Sequence, residues 1–377
     1  MKALLRVCVF LLSQCVLCQV TIVIDSLPEH HDYDKAIYIS GDFENWSGGD
    51  SRFKLSKTNN QYQISIPKQS EALSFKFTLG SWDFVECQVN GSPIENRVFH
   101  FKNTQDTLRV KIASWQDGNL KERPSTASKN VHVFAEQFEI PQLGRNRKIS
   151  VYLPANYKTS GKKYPVLYMH DGQNVFDLAR SYSGEWEVDE TLDKLSKEHG
   201  FNIIVVAIDH GNDKRLSEYS PWSNPKYAES EGAAYIEFIV NTLKPEIDKV
   251  YRTKIAAKNT AIMGSSMGGL ISHYAAIKYP HVFGKAAVFS PSFWYAKESF
   301  SFTETHATSK KVKMYYVVGG QEGENMVHDM EKMIGIMKAK KFPEANLYSK
   351  IVPNGTHSES FWKTEFEAAI NWLFALH

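Results

Sequence analysis

The chain has 377 residues, 42% of them hydrophobic and 23% charged, with a formal net charge of +2. Such a composition provides a sizeable core, and the length suits two domains or one large domain with an appendage. It excludes wholesale disorder, and near-neutrality without a Lys/Arg run argues against nucleic acid as the main partner.

Residues 1–18, MKALLRVCVFLLSQCVLC, place Lys2 and Arg6 ahead of an apolar run broken only by Ser13 and Gln14. This pattern predicts a cleaved signal peptide over 1–18, hence a secreted or periplasmic protein. The run is shorter than the roughly 20 residues of a membrane span, and no later stretch reaches that length. Gln14 and Leu17 are not the small residues expected before a lipidated cysteine, which weakens the case for an anchor on Cys15 or Cys18. Cleavage removes two basic residues and no acidic ones, leaving 42 charges of each sign. Only Cys87 of the four cysteines then remains, so no internal disulfide is expected despite export.

Residues 19–117 read as short strands. KAIYIS, QYQISIP, LSFKFTLG and TLRVKIA are rich in β-formers and are separated by SGGDS, KTNN and NGSP. A small all-β immunoglobulin-like sandwich is expected here. Residues 118–130 are polar, contain Pro124 and form a linker.

From residue 131 to 377 strand and helix patterns alternate. Apolar strands such as YPVLYM, NIIVVAID, TAIMGSS, KAAVFSP and KMYYVVGG are separated by helical patterns such as GEWEVDETLDKLSKEHG, in which Trp186, Val188, Leu192 and Leu195 share a face. Strands apolar on both sides predict an α/β fold, a mostly parallel sheet covered by helices on both faces. Reactive residues then belong to the loops after the strands.

AIMGSSMGG, residues 261–269, sits between one such strand and a helix. Its G-x-S-x-G spacing falls on Gly264, Ser266 and Gly268, making Ser266 the candidate nucleophile and Ser265 a spacer. A sharp strand-to-helix turn needs flanking residues without Cβ atoms, and it leaves the serine near helix amides that favour developing negative charge. A serine of this kind needs a base, and His357 in the loop PNGTHSESFW is the best placed histidine after it. His273 and His328 lie within helical patterns instead. The orienting acid is expected after KMYYVVGG, at Glu322 or Glu324, with Glu322 nearer the strand end and one of the two available to cap the next helix. An oxyanion would be held by the amides of Met267 and of Gln173 in YMHDGQNVFD.

Arg215, Tyr219 and Trp222 in DKRLSEYSPW, and Trp294 with Phe293 in SPSFWY, are candidate pocket residues. Arg215 and Glu218 also read as a loop-ordering pair, and Trp294 equally as core. His170 and Asp171 invite a metal reading, but no H-E-x-x-H or C-x-x-C cluster accompanies them, so no metal is expected; nor is any cofactor.

Taken together, YPVLYMHDGQNVFD, RLSEYSPW, AIMGSSMGGLIS, FSPSFWY, YYVVGGQEG and GTHSESFW resemble the Putative esterase family of α/β-hydrolases. That family includes feruloyl and acetylxylan esterases, siderophore esterases, the esterase D type and mycolyltransferase antigens. The resemblance implies the α/β-hydrolase fold and a serine carboxylic ester hydrolase with Ser266, His357 and Glu322 as its triad. A glutamate departs from the aspartate of many members. YISGDFENW and LSFKFTLGSWDFVE resemble a starch-binding-type carbohydrate-binding module, which implies Trp46 and Trp82 as sugar platforms, although either also reads as core. The expected substrates are acyl or feruloyl esters of carbohydrate, with polysaccharide as a partner. The alternatives are a ferric-siderophore trilactone and a catalytically silent glycan-binding role.

Overall fold

The computed structural model describes residues 18–376 except 45, 59–60, 70–71, 90, 92, 95, 104, 117–123, 182 and 308–310, and leaves the Glu324 side chain undescribed. The expected signal peptide therefore lies outside the described residues apart from Cys18, as does the first part of the expected linker. Two compact units divide at Asn119/Leu120.

The first unit is built from β-strands with short 3₁₀ turns. Strands Ser56–Thr58, Gln61–Pro67, Gln19–Ser26 and Gln105–Lys111 form one sheet in that order, and Tyr38–Gly41, Ala72–Thr78 and Arg97–His100 form another. Val20, Ile22 and Val110 of the first sheet share a buried core with Ile39, Phe75 and Phe77 of the second. Period-two alternation thus gives each sheet one apolar face, and the two faces cover each other. Cys87 is buried.

The second unit contains an eight-stranded sheet. Its strands are β1 Val131–Ile140, β2 Arg145–Tyr152, β3 Val166–Met169, β4 Ile204–Ile208, β5 Thr260–Ser265, β6 Lys285–Phe289, β7 Lys313–Gly319 and β8 Leu347–Val352. The order is β1-β2-β4-β3-β5-β6-β7-β8. The β1–β2 and β2–β4 pairs are antiparallel and the other pairs parallel. The expected mostly parallel sheet is present.

The helices are α1 Val188–His199, α2 Arg215–Glu218, α3 Gly232–Phe238, α4 Lys244–Val250, α5 Met267–Lys278, α6 Glu298–His306, α7 Glu324–Ala339 and α8 Glu359–Phe374. α3 runs through a π-helical turn, Ile239–Leu243, into α4. Pro245 in the first turn of α4 lacks an N–H for the regular ladder, and the wider turn accommodates the missing bond. α6 was not foreseen, because ESFSFTETH has little helical period; it is held by the burial of Ser299, Phe300 and Thr303.

Alternate residues of each central strand face opposite cores. Tyr168, Val206 and Ile262 join one core with α3, α5 and α7, whereas Leu167, Val205 and Ala261 join another with α1 and α8. Trp186, Val188, Leu192 and Leu195 all lie in the second core, as their spacing predicts. Two covered faces explain why the strands read as continuous apolar runs.

His273, inside α5, is wholly buried between the Tyr316 hydroxyl at 2.8 Å and Thr303 Oγ1 at 2.8 Å. Burial lowers its pKa to about 3. An unfolded histidine takes up its proton near pH 6.5, so the unfolded chain binds more protons between about pH 6.5 and 3. The stability conferred by the neutral ring is complete above pH 6.5 and is lost as pH falls through that window, by about 1.4 kcal/mol per pH unit. Urea unfolding as a function of pH should show a shallower acid slope for His273→Gln; an unchanged slope would mean the ring is not held neutral.

Candidate active site

β5 ends in a sharp elbow. Ser266 has φ 58° and ψ −121°, a conformation strained for a residue with a Cβ, and α5 begins at the next residue. Two glycines of the elbow, Gly264 and Gly269, are sterically required. A methyl on Gly264 would lie 2.8 Å from the Gly268 carbonyl and 2.9 Å from the His170 ring, and one on Gly269 would lie 2.7 Å from the Phe289 carbonyl oxygen. The elbow is clamped to β6, since the Ser266 amide donates to Phe289 O at 2.9 Å and the Ser292 amide donates to Ser266 O at 3.1 Å.

The histidine and the acid meet from two other strand ends. Glu322 follows β7, and its carboxylate is fully buried against the His357 ring, with Oε2 2.8 Å from Nδ1. A carboxylate can only accept, so Nδ1 carries the hydrogen and Nε2 is left as a base. Glu322 Oε1 accepts from the Gly319 amide at 2.6 Å and from Ser290 Oγ at 2.6 Å. Ser290 in turn accepts from Trp362 Nε1 at 2.8 Å, and the Trp362 ring meets the His357 ring edge to face at 5.0 Å. The two loops approach through glycine: a Cβ on Gly319 would sit 2.3 Å from the Gly355 carbonyl, and the Gln321 amide donates to Gly355 O at 3.0 Å. Glu324 opens α7 instead.

Ser266 Oγ hydrogen-bonds Ser292 Oγ at 3.2 Å, and among the described residues no hydrogen bond joins it to His357. The Met267 amide is the first of α5, and the Gln173 amide lies in the 3₁₀ turn Gly172–Asn174 after β3. Both are positions without an intrahelical acceptor. The Gln173 side chain accepts from the His210 amide at 3.3 Å.

Beneath the elbow, Asp171 adopts φ 54° and is held by Arg215, with Nε–Oδ1 at 2.7 Å and Nη2–Oδ2 at 2.9 Å. Burial pushes the Asp171 carboxyl up, but the Arg215 guanidinium outweighs it and holds the carboxyl below its usual value. The expected Arg215–Glu218 pair is corrected: Glu218 is fully buried and bonds Arg147 at 2.6 Å and Arg145 at 2.9 Å. Tyr219 is corrected as well. It is wholly buried, and its hydroxyl accepts from the Asp171 amide at 3.1 Å, so it shapes the loop and has no open face for a substrate. Phe293, expected as a pocket residue, is also core, packed on His273 and Phe300. Trp222 is half-buried, edge-on to Tyr274 and Phe302. Trp294 is 40% exposed beside Tyr227, two residues beyond Ser292. In the first unit the half-buried Trp46 and Trp82 rings lie 6.0 Å apart, and Trp82 Nε1 donates to Trp46 O at 2.8 Å.

Arg215→Leu would leave the Asp171 charge buried without its partner. Its expected cost is about 2–4 kcal/mol, the partial exposure of Arg215 reducing the full penalty of a broken buried pair. Chemical denaturation measures it; a cost below about 0.5 kcal/mol would show the pair to be a surface contact only.

A family model described as "Putative esterase" matches residues 140–373, more than half of the sequence. The chain belongs to this esterase family. The chain is 24% identical over 242 residues to the uncharacterized protein YbbA of Bacillus subtilis, covering 61% of this chain and 93% of that protein. It is 25% identical over 238 residues to an endo-1,4-beta-xylanase/feruloyl esterase of Xylanibacter ruminicola, covering 61% of this chain and 30% of that one. The enterobactin esterase of Shigella flexneri, solved in the presence of enterobactin, shares the fold with a TM-score of 0.54 at 13% identity, over 90% of this chain and 88% of that chain. Esterase-family membership and the α/β-hydrolase sheet agree: the protein is a hydrolase of the esterase type.

Ser290, Ser292 and Trp362 were not singled out as site residues. The one sequence signal was the run SPS after an apolar strand, and Ser290 indeed carries φ 42°. Among the described residues no helix is long and apolar enough to cross a membrane.

Proposed function

We propose that this chain is an exported serine esterase that works through an acyl-enzyme on Ser266. The observation that carries the reading is the Glu322–His357 contact, 2.8 Å long, which leaves Nε2 as a base in a loop at the same, C-terminal edge of the parallel strands as the strained serine. The serine hydroxyl leaves Ser292, turns to His357 Nε2 and attacks the ester carbonyl as its proton passes to the ring. Such hydrogen bonds commonly tighten only when substrate is bound. The Met267 and Gln173 amides hold the oxyanion. The imidazolium returns the proton to the leaving alcohol, and water deprotonated by the same ring releases the acid.

The substrate class we favour is an acyl or feruloyl ester of carbohydrate. The feruloyl esterase relative supports it, as does the exposed Trp294 edge beside Tyr227, a wall suited to an aromatic acyl group. The Trp46–Trp82 pair of the first unit would serve as the sugar platform, and export follows from the residues 1–18 pattern. A second reading, a ferric-siderophore trilactone, is favoured by the enterobactin esterase likeness, which extends over both units. Product release from feruloylated arabinoxylan and from ferric enterobactin, followed side by side, separates them. Ferulate release with enterobactin untouched is the expected result. The opposite outcome transfers the enzyme to the siderophore class, and no product from either overturns both substrates.

A further inference from the structure

Away from the triad, Glu185, Asp189 and Glu190 bring one carboxylate oxygen each to within 4.8 Å of one another. Asp189 and Glu190 lie in the first turn of α1, where acids ordinarily complement the helix dipole. That does not account for Glu185, which precedes the helix, nor for the burial. Asp189 is fully buried and Glu185 is 7% exposed. Glu185 Oε2 accepts from Thr126 Oγ1 at 2.8 Å, and Asp189 Oδ2 accepts from the Ser128 amide at 2.6 Å. The remaining oxygens, Glu185 Oε1 and Asp189 Oδ1, accept from no N–H or hydroxyl among the described residues, and the Asp189 and Glu190 carboxyls stand within hydrogen-bond reach of each other. Among the described residues no lysine or arginine forms an ion pair with any of the three. The nearby charges are further acids, Asp177 and Glu187, and Glu187 is paired with Lys363.

Buried carboxylate oxygens without partners cost several kcal/mol unless a proton or a cation meets them. We propose that Glu185, Asp189 and Glu190 form a divalent cation site for calcium. Three carboxylates with no histidine or cysteine are hard oxygen ligands, and a loop residue joined to a helix turn suits the flexible coordination of calcium better than the strict octahedron of magnesium. Oxygen sites of this kind carry no motif like those of zinc, which is why the sequence predicts no metal here.

The ion would fasten the segment holding Thr126 and Ser128 onto the start of α1. It would also brace Trp186, whose ring packs on Trp362 at 5.9 Å, the residue that touches His357. The role is structural and independent of the serine chemistry.

The test uses the full chain stripped with EDTA and titrated with calcium chloride, by calorimetry and by thermal unfolding. One ion per chain and a melting rise of about 5 °C or more at calcium a hundredfold above its Kd are expected. Terbium luminescence sensitised by the adjacent Trp186 should appear and be displaced by calcium. Asp189→Asn, Glu185→Gln and the exposed Glu190→Gln should each weaken calcium binding by at least about tenfold. Because Glu190→Gln alters an exposed side chain, it remains informative should the buried variants fail to fold. No heat and no melting shift at millimolar calcium overturns the site, as does calcium binding that survives all three substitutions.

Discussion

Ser266→Ala is expected to lower p-nitrophenyl acetate turnover by about 10⁴-fold or more, because the proposed acyl-enzyme cannot form and only oxyanion and binding effects remain. The fold should be unaffected, since alanine keeps the Cβ and gives up one hydrogen bond to Ser292 Oγ. Ser266→Gly adds a sharper test. At φ 58° a residue with a Cβ is strained and glycine is not, so this variant should be inactive yet more stable by about 1 kcal/mol. Inactivity with unchanged or raised unfolding midpoints in urea separates a lost nucleophile from a lost fold. An alanine variant as active as the wild type removes the serine mechanism altogether.

The second large effect concerns the acid. In Glu322→Gln the Oε1 position must remain an oxygen, because both the Gly319 amide and Ser290 Oγ donate to it. The new NH₂ therefore faces His357 Nδ1 and donates to it, which moves the ring hydrogen to Nε2. A histidine in that tautomer cannot take the serine proton, so kcat should fall by about 10³–10⁴-fold with KM nearly unchanged. Glu324→Gln, at the opening of α7, should leave kcat within about twofold, since only a helix-end charge changes. The reverse pattern, with Glu324→Gln the damaging change, would move the acid by two residues and reject the pairing.

Much of this was legible in the chain. The alternation of apolar strands and helices comes from burial of both sheet faces, a local regularity that any covered parallel strand must show. The G-x-S-x-G elbow was legible for a similar reason, since a strand that turns sharply into a helix constrains the residues at the turn itself. His357 could be reached by its place in a loop after the last strand. The residue types around Arg215 were legible too, but their partners were not.

Local spacing thus pointed to the class of fold and to Ser266 as the candidate nucleophile, because each rests on steric or periodic rules within a dozen residues, whereas the family rested on the resemblance of six motifs spread along the chain. Only the tertiary structure decided that Glu322 and not Glu324 meets His357, because that contact depends on the close approach of Gly319 and Gly355 from two strand ends. It likewise paired Arg215 with Asp171, sank Tyr219 beneath the loop and gathered Glu185, Asp189 and Glu190 against Thr126 and Ser128. Partners far apart in sequence are chosen by how strands and helices pack, and a one-dimensional pattern carries no measure of that distance.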